Sequence, residues 1–161
     1  MIVEDGTGKE NANSYVTIAE ATEYFTASND EVWLALSEDA QKAGLIRATR
    51  YIDMRYGPVL TGTPKTSTQA LFYPANDAVN VYGYTETGVP RYAKVAVMEA
   101  ARAEQDEPLF AVDDKSERVS EFSAGSLSVK MSGLAPTGKV IEAVDRAISR
   151  LINNRVRVYR V

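Results

Sequence analysis

Residues 136–154, PTGKVIEAVDRAISRLINN, repeat apolar side chains at the period of an α-helix more regularly than any other part of the chain. Val140, Val144, Ala147 and Leu151 form one stripe, widened by Ile141, Ile148 and Ile152. Asn153 or Asn154 is placed to end the helix in a left-handed conformation. Such a helix gains little stability alone in water and must bury its stripe against other elements. The constraint is therefore a mainly helical domain, and the next step is to find the partners.

Three further segments carry helical signals. In NSYVTIAEATEYF, Thr17 and Glu20 have the spacing of a capping box, and Ile18, Ala21 and Phe25 share a face. The stretch SNDEVWLALSEDAQ breaks that helix and starts another, with Ser37 as cap and Glu38 and Asp39 in the first turn. This second helix is expected to run to Tyr56, where Gly57 and Pro58 stop it. Leu45, Ala48, Ile52 and Tyr56 make its inner stripe, and Arg47, Arg50, Asp53 and Arg55 lie mostly off it. The third, VPRYAKVAVMEAARAEQ, has Pro90 at a tolerated position and a face of Ala93, Ala96, Ala100 and Ala101 that permits close packing.

Between the second and third helices, residues 57–89 lose periodicity. A loop that long is functional or ordered by a partner more often than not, and Leu71, Phe72 and Tyr73 are expected to anchor its middle to the core. After the linker DEPLFAVDDKS, the segment ERVSEFSAGSLSVKMSG changes to a two-residue period. Leu127, Val129 and Met131 alternate with Ser126, Ser128 and Lys130, and SAGS can turn the chain, so a β-hairpin is expected over 117–132.

The 161 residues contain no cysteine and no histidine, which removes thiolate sites, disulfides, the commonest general base and the commonest metal ligand. The acidic, Gly-rich start does not resemble a signal peptide, and no apolar run approaches the ~18 residues of a membrane span, so the expected setting is a cytoplasm. Hydrophobic residues make up 45%, enough for a real core. Net charge is −4, unevenly spread. From Gly138 to Val161, Lys139, Arg146, Arg150, Arg155, Arg157 and Arg160 outweigh Glu142 and Asp145, which leaves −8 on the rest.

Candidate chemistry is sparse. GTGKE at residues 6–10 lacks the earlier glycine and following Ser or Thr of a phosphate loop, and reads as a flexible N-terminus. Glu38/Asp39, Asp106/Glu107 and Asp113/Asp114 sit at helix starts or in a linker and read as solvated charges. LIRATRYIDMRY has two readings: a nucleic-acid strip in which Tyr51 and Tyr56 stack bases, or an ordinary amphipathic helix with an Arg50–Asp53 pair. The end, RVRVYRV, alternates as a strand does. It could pair with the chain's own hairpin or add to a neighbouring subunit, with backbone bonds giving affinity and arginines giving register.

In order and spacing, NSYVTIAEATEYF, GLIRATRYIDMRYG, QALFYP, VPRYAKVAVMEAA and a hairpin ending LSVKMS resemble a family of tailed-phage proteins known as DnaT-like single-stranded-DNA-binding proteins. They also look like the head–tail connector, or adaptor, proteins beneath the portal. The likeness covers roughly residues 12–152 and rests on core and turn positions rather than an active-site motif. It implies a mainly α fold: a small four-helix bundle with a β-hairpin between the third and fourth helices, a long central loop and an extended C-terminal arm. Residues 1–152 would be the adaptor domain and 153–161 the arm.

The connector resemblance implies a structural virion protein of the neck, assembled in the bacterial host cytoplasm, without catalysis or cofactor. Its partners would be the portal protein, about twelve copies of itself in a closed ring, the next neck or tail component, and DNA passing through without sequence-specific binding. Arg155, Val156, Arg157, Val158, Tyr159, Arg160 and Val161 occupy the place of the portal-docking arm. The alternative is a single-stranded-DNA-binding protein, which would call for a basic groove with stacking aromatics.

Overall fold

The computed structural model describes residues 1–110, the strand backbones at 121–124 and 127–130, and residues 141–152. Five α-helices lie within them: α1 (Ile18–Ala27), α2 (Glu31–Leu34), α3 (Glu38–Tyr56), α4 (Arg91–Ala103) and α5 (Glu142–Ile148). Two antiparallel pairs accompany them, β1 (Thr63–Pro64) with β2 (Ala75–Asn76), and β3 (Glu121–Ala124) with β4 (Leu127–Lys130). The mainly helical class and the hairpin agree with the sequence. In the hairpin Ala124 pairs with Leu127 and Glu121 with Lys130. The expected count of four helices does not hold among the described residues, for a local reason. Asn29 turns left-handed at φ 53°, and Asp30 then caps one extra turn by accepting from the Trp33 N–H at 3.0 Å. That turn drives Trp33 fully inside, its ring 4.8 Å from Phe25.

The capping box of α1 forms as expected. Glu20 N–H donates to Thr17 Oγ1 at 3.1 Å, and Thr17 N–H donates to Glu20 Oε2 at 2.8 Å. Helix α3 begins at its Ser37 cap and runs to Tyr56. Leu45, Ala48, Ile52 and Tyr56 are buried, but so are Thr49 and Tyr51, because α3 is covered on more than one side. Helix α4 packs against both α3 and α5. Its Ala93, Ala96, Ala100 and Ala101 are completely buried, and these short side chains let two neighbours approach one helix closely. The Tyr56 hydroxyl donates to Asp145, tying the end of α3 to α5.

Helix α5 is shorter than its sequence period suggests. Ile141 is extended at φ −106° and ψ 111°, so the helix starts at Glu142; residues 131–140 lie outside the described residues. Its far end tightens into a 3-10 turn (Ser149–Leu151), and Ile152 leaves extended to bridge Leu60. The end therefore comes before Asn153 and Asn154. Its last carbonyls are taken from outside the helix: Thr61 N–H donates to Leu151 at 2.9 Å and Val81 N–H to Arg150 at 2.9 Å. The hairpin flanks, Asp113, Asp114 and the arm from Arg155 to Val161 lie outside the described residues.

The stretch from 57 to 89 is fastened within the chain, and one partly buried carboxylate organises it. Tyr15 Oη donates to Asp53 Oδ1 at 2.6 Å, and the Phe72 N–H donates to Asp53 Oδ2 at 2.9 Å. Tyr73 N–H donates to the same Tyr15 oxygen at 3.0 Å. Asp53 thus joins the N-terminal segment, α3 and the middle of the loop, rather than pairing with Arg50 on the surface. Leu71 and Phe72 pack against the core and Tyr73 lies within it, as the sequence suggested. The Gln69 amide adds three bonds to the carbonyls of Leu71, Phe72 and Pro74. Gly62 closes the loop where no other residue fits: its φ is +89°, and a Cβ would lie 2.5 Å from the Asn76 carbonyl.

Burial raises the Asp53 carboxyl to about 6, although the Tyr15 and Phe72 donors oppose the shift. The folded chain holds this proton more tightly than the unfolded one. The contribution is fully present below the ordinary value of 3.8 and is lost as pH rises through about 6. Across that window the loss amounts to about 3 kcal/mol. Asp53→Asn is expected to abolish this component. In urea unfolding between pH 4 and pH 7, the variant should gain stability relative to the parent as pH rises; parallel profiles would contradict the assignment.

Candidate functional site

The motifs singled out in the sequence fall into place differently. Around GTGKE, the buried Glu4 carboxylate accepts from the N–H groups of Gly6 at 2.8 Å, Gly8 at 2.9 Å and Lys9 at 2.8 Å. Gly6 and Gly8 have φ of 94° and 88°, which turns these N–H groups inward. Such a nest of amides suits an anion, and here the chain's own carboxylate fills it. Lys65 Nζ donates to the Gly6 carbonyl and Ala70 N–H to Lys9, so the segment is fastened to the 57–89 loop. The expectation of a flexible N-terminus is corrected accordingly.

The arginine strip on α3 does not present bases with aromatic faces. Tyr51 and Tyr56 are 2% and 5% exposed, because the covered face of α3 is wider than one stripe. Arg47 is held at 2.6 Å by Glu104 of α4, Arg50 lies over the Phe110 ring, and Arg55 packs over Tyr56. The paired carboxylates at 38–39 and 106–107 are exposed, with Glu38 bound to Lys42 and Asp106 to Arg102. Among the described residues no group of three His, Cys, Asp or Glu is placed to hold a metal ion.

A different set of side chains converges where α1, α4 and α5 meet. Tyr24 comes from α1, Arg91, Tyr92, Val95 and Glu99 from α4, and Arg146 and Arg150 from α5 with its terminal turn. Together they line a cleft of about 470 Å³. Arg146 and Arg150 are four residues apart and so share one side, opposite the buried Val144. The Arg150 guanidinium sits 4.7 Å from the centre of the Tyr92 ring, a cation–π contact. Arg146 is bound to Glu142 at 2.5 Å, but both are 78% exposed, so the pair is weak and exchangeable. Arg91 stands in the first turn of α4, where a cation opposes the helix dipole and stability gives no reason for it.

The acidic member, Glu99, accepts the Tyr24 hydroxyl at 2.5 Å. Burial, then Glu99, push the Tyr24 hydroxyl up to about 12, so it stays a neutral donor. A shallower depression of about 320 Å³ continues along α1 and α4, sharing Tyr24, Arg91 and Val95 and adding Lys94, which Glu20 holds at 2.5 Å. The result is a groove with three guanidinium groups and two phenol rings in an otherwise acidic protein. Guanidinium groups take phosphates in fork geometry, and planar rings take bases.

None of these residues was singled out as a site in the sequence, although Arg146 and Arg150 were counted in the basic end. Their four-residue spacing was a usable signal. Their meeting with Arg91 and Tyr92 was not, because it depends on which face of α5 packs on α4.

A family model described as "Putative DnaT-like ssDNA binding protein" matches residues 1–161. No curated protein and no solved structure matches the chain.

Replacing Glu4 should empty the amide nest and loosen the segment. Glu4→Ala is expected to speed tryptic cleavage after Lys9 by about tenfold, since three buried N–H groups lose their acceptor. Unchanged cleavage would show that Lys65 and Ala70 alone hold the segment.

Proposed function

The chain belongs to the DnaT-like ssDNA-binding family, and on that premise we propose that it binds single-stranded DNA along the arginine–tyrosine groove between α1, α4 and α5. The observation that carries the reading is the convergence of Arg91, Arg146 and Arg150 around Tyr92. Arg91 and Arg146 would take successive phosphates. Arg150, already flat on Tyr92, would offer its other face to a base. No sequence preference is expected, because the contacts are to backbone and to ring faces. No catalysis is involved, and the setting is the cytoplasm of a bacterial host.

Net charge bears on the strength of binding. The chain carries −4 overall, so long-range attraction is weak and affinity must come from close contacts. Binding should therefore be modest and strongly salt-dependent. Two phosphate contacts on a single strand give a slope of log affinity against log salt of about −1.4.

A second reading keeps the connector resemblance: a structural protein forming a ring beneath a phage portal, with Arg155 to Val161 as the docking arm. What favours it is charge pairing. Arg47, Lys94 and Arg102 are each engaged by an acid of another element, which leaves few cations for DNA, and an acidic ring would let DNA slide. Rings on purified portal in electron microscopy would support this reading.

Anisotropy titration with fluorescent oligo-dT tests the DNA reading. The parent should bind with a salt slope of about −1.4. Arg91→Ala, Arg146→Ala and Arg150→Ala combined should lose at least about tenfold and flatten that slope. Arg47→Ala, whose guanidinium is already bound to Glu104, should change little. An absence of salt-sensitive binding by the parent would refute the DNA reading.

A further inference from the structure

We infer that the turn at residues 80–84 is a base-stacking platform, a second contact for the strand held by the arginine groove; the inference rests on the DNA reading above. Large apolar and aromatic side chains are concentrated here on the surface. Val81, Tyr82 and Tyr84 are 52%, 61% and 71% exposed. Two tyrosines this open have no share in the core, and folding gains little from them.

The turn that carries them is built to be rigid. Asn80 Oδ1 accepts from the N–H groups of both Tyr82 and Tyr84, at 3.0 and 3.1 Å. Asn80 Nδ2 donates to Glu86 at 2.7 Å. The backbone closes around it: Asn80 N–H donates to Tyr84 at 2.9 Å, and Gly83 N–H to Asn80 at 2.9 Å. Gly83 takes the φ of +86° that the turn needs, and Val79 bridges Thr85 below it. A base stacking here would find the backbone that carries the rings ordered already, so less entropy is lost on binding.

The position of the turn argues for nucleic acid over other apolar partners. Val81 N–H donates to the Arg150 carbonyl at 2.9 Å, so the platform is fixed directly to the residue whose guanidinium lies on Tyr92. Tyr82 and Tyr84 are thus carried by a turn bonded to Arg150, which lines the groove with Tyr92, Arg146 and Arg91. Interleaved rings and cations are the pattern by which proteins hold a single strand without reading its sequence. Beside the turn lies a hollow of about 810 Å³ lined by Thr61, Asp77 and Asn80. Asp77 makes that side unsuited to phosphates, which places the backbone toward Arg146 and Arg91 and the bases toward the tyrosines.

The test compares oligo-dT with an oligonucleotide of equal length made of abasic sites, by anisotropy. Tyr82→Ala with Tyr84→Ala should weaken oligo-dT binding at least about fivefold and leave the salt slope intact. Tyr82→Phe with Tyr84→Phe should retain affinity, since stacking needs the ring and not the hydroxyl. The abasic strand should bind the parent and the alanine variant equally. Emission of the buried Trp33 reports that each variant is folded. If the alanine variant binds oligo-dT as the parent does while the triple arginine variant does not, the platform is wrong and the groove stands. If the parent binds neither strand, both readings fall.

Discussion

A partly buried carboxylate holds this fold together. Asp53 projects from the middle of the longest helix into a place where Tyr15 and the Phe72 amide both donate to it. Without those donors a desolvated carboxylate would be too costly to keep. With them it fastens three parts of the chain that are far apart in sequence. The N-terminal strand-like segment, the helix α3 and the long 57–89 stretch become one body. The second oxygen of the exchange, on Tyr15, accepts from Tyr73 and so seats that ring in the core. The loop could not otherwise stay close, since its own β1–β2 pair is only two residues long on each side.

That fastening has consequences at a distance. Once Leu60 and Thr61 are held, they meet the end of α5 and take its terminal carbonyls. The 80–84 turn does the same through Val81. The position of Arg150 is therefore set partly by a loop whose own order depends on Asp53. On the other side, the alanine face of α4 sets how near α5 can lie, and hence the width of the groove. A larger residue at Ala96 or Ala100 would part the helices, since a close-packed interior has no room for added methylenes.

Electrostatics gives the groove its character by subtraction. Three cations of the described helices are already bound across elements: Arg47 to Glu104, Lys94 to Glu20, Arg102 to Asp30. These pairs are part of how α1, α3 and α4 are clipped together, each of modest strength where exposed. Among the described residues, Arg91, Arg146 and Arg150 make no ion pair that joins two helices. They gather on one side of an acidic molecule, which is an arrangement for contact at short range rather than for steering from afar.

The helical segments, the capping box at Thr17 and Glu20, the Ser37 cap, the alanine face of α4 and the hairpin were all legible in the sequence. Each depends on residues within a few positions of one another, where periodicity and capping act. Membership of the DnaT-like family was legible too, since it rests on a pattern of core and turn positions along the whole chain. Tertiary structure alone decided the rest. Asp53 read as a surface charge because nothing nearby announced Tyr15 or Phe72, 38 and 19 residues away. GTGKE read as loose because the acceptor for its amides, Glu4, is recognisable only once two glycines have turned left-handed. The groove was hidden for the same reason: a stripe says which side of a helix is buried, but only packing says which exposed sides end up facing each other.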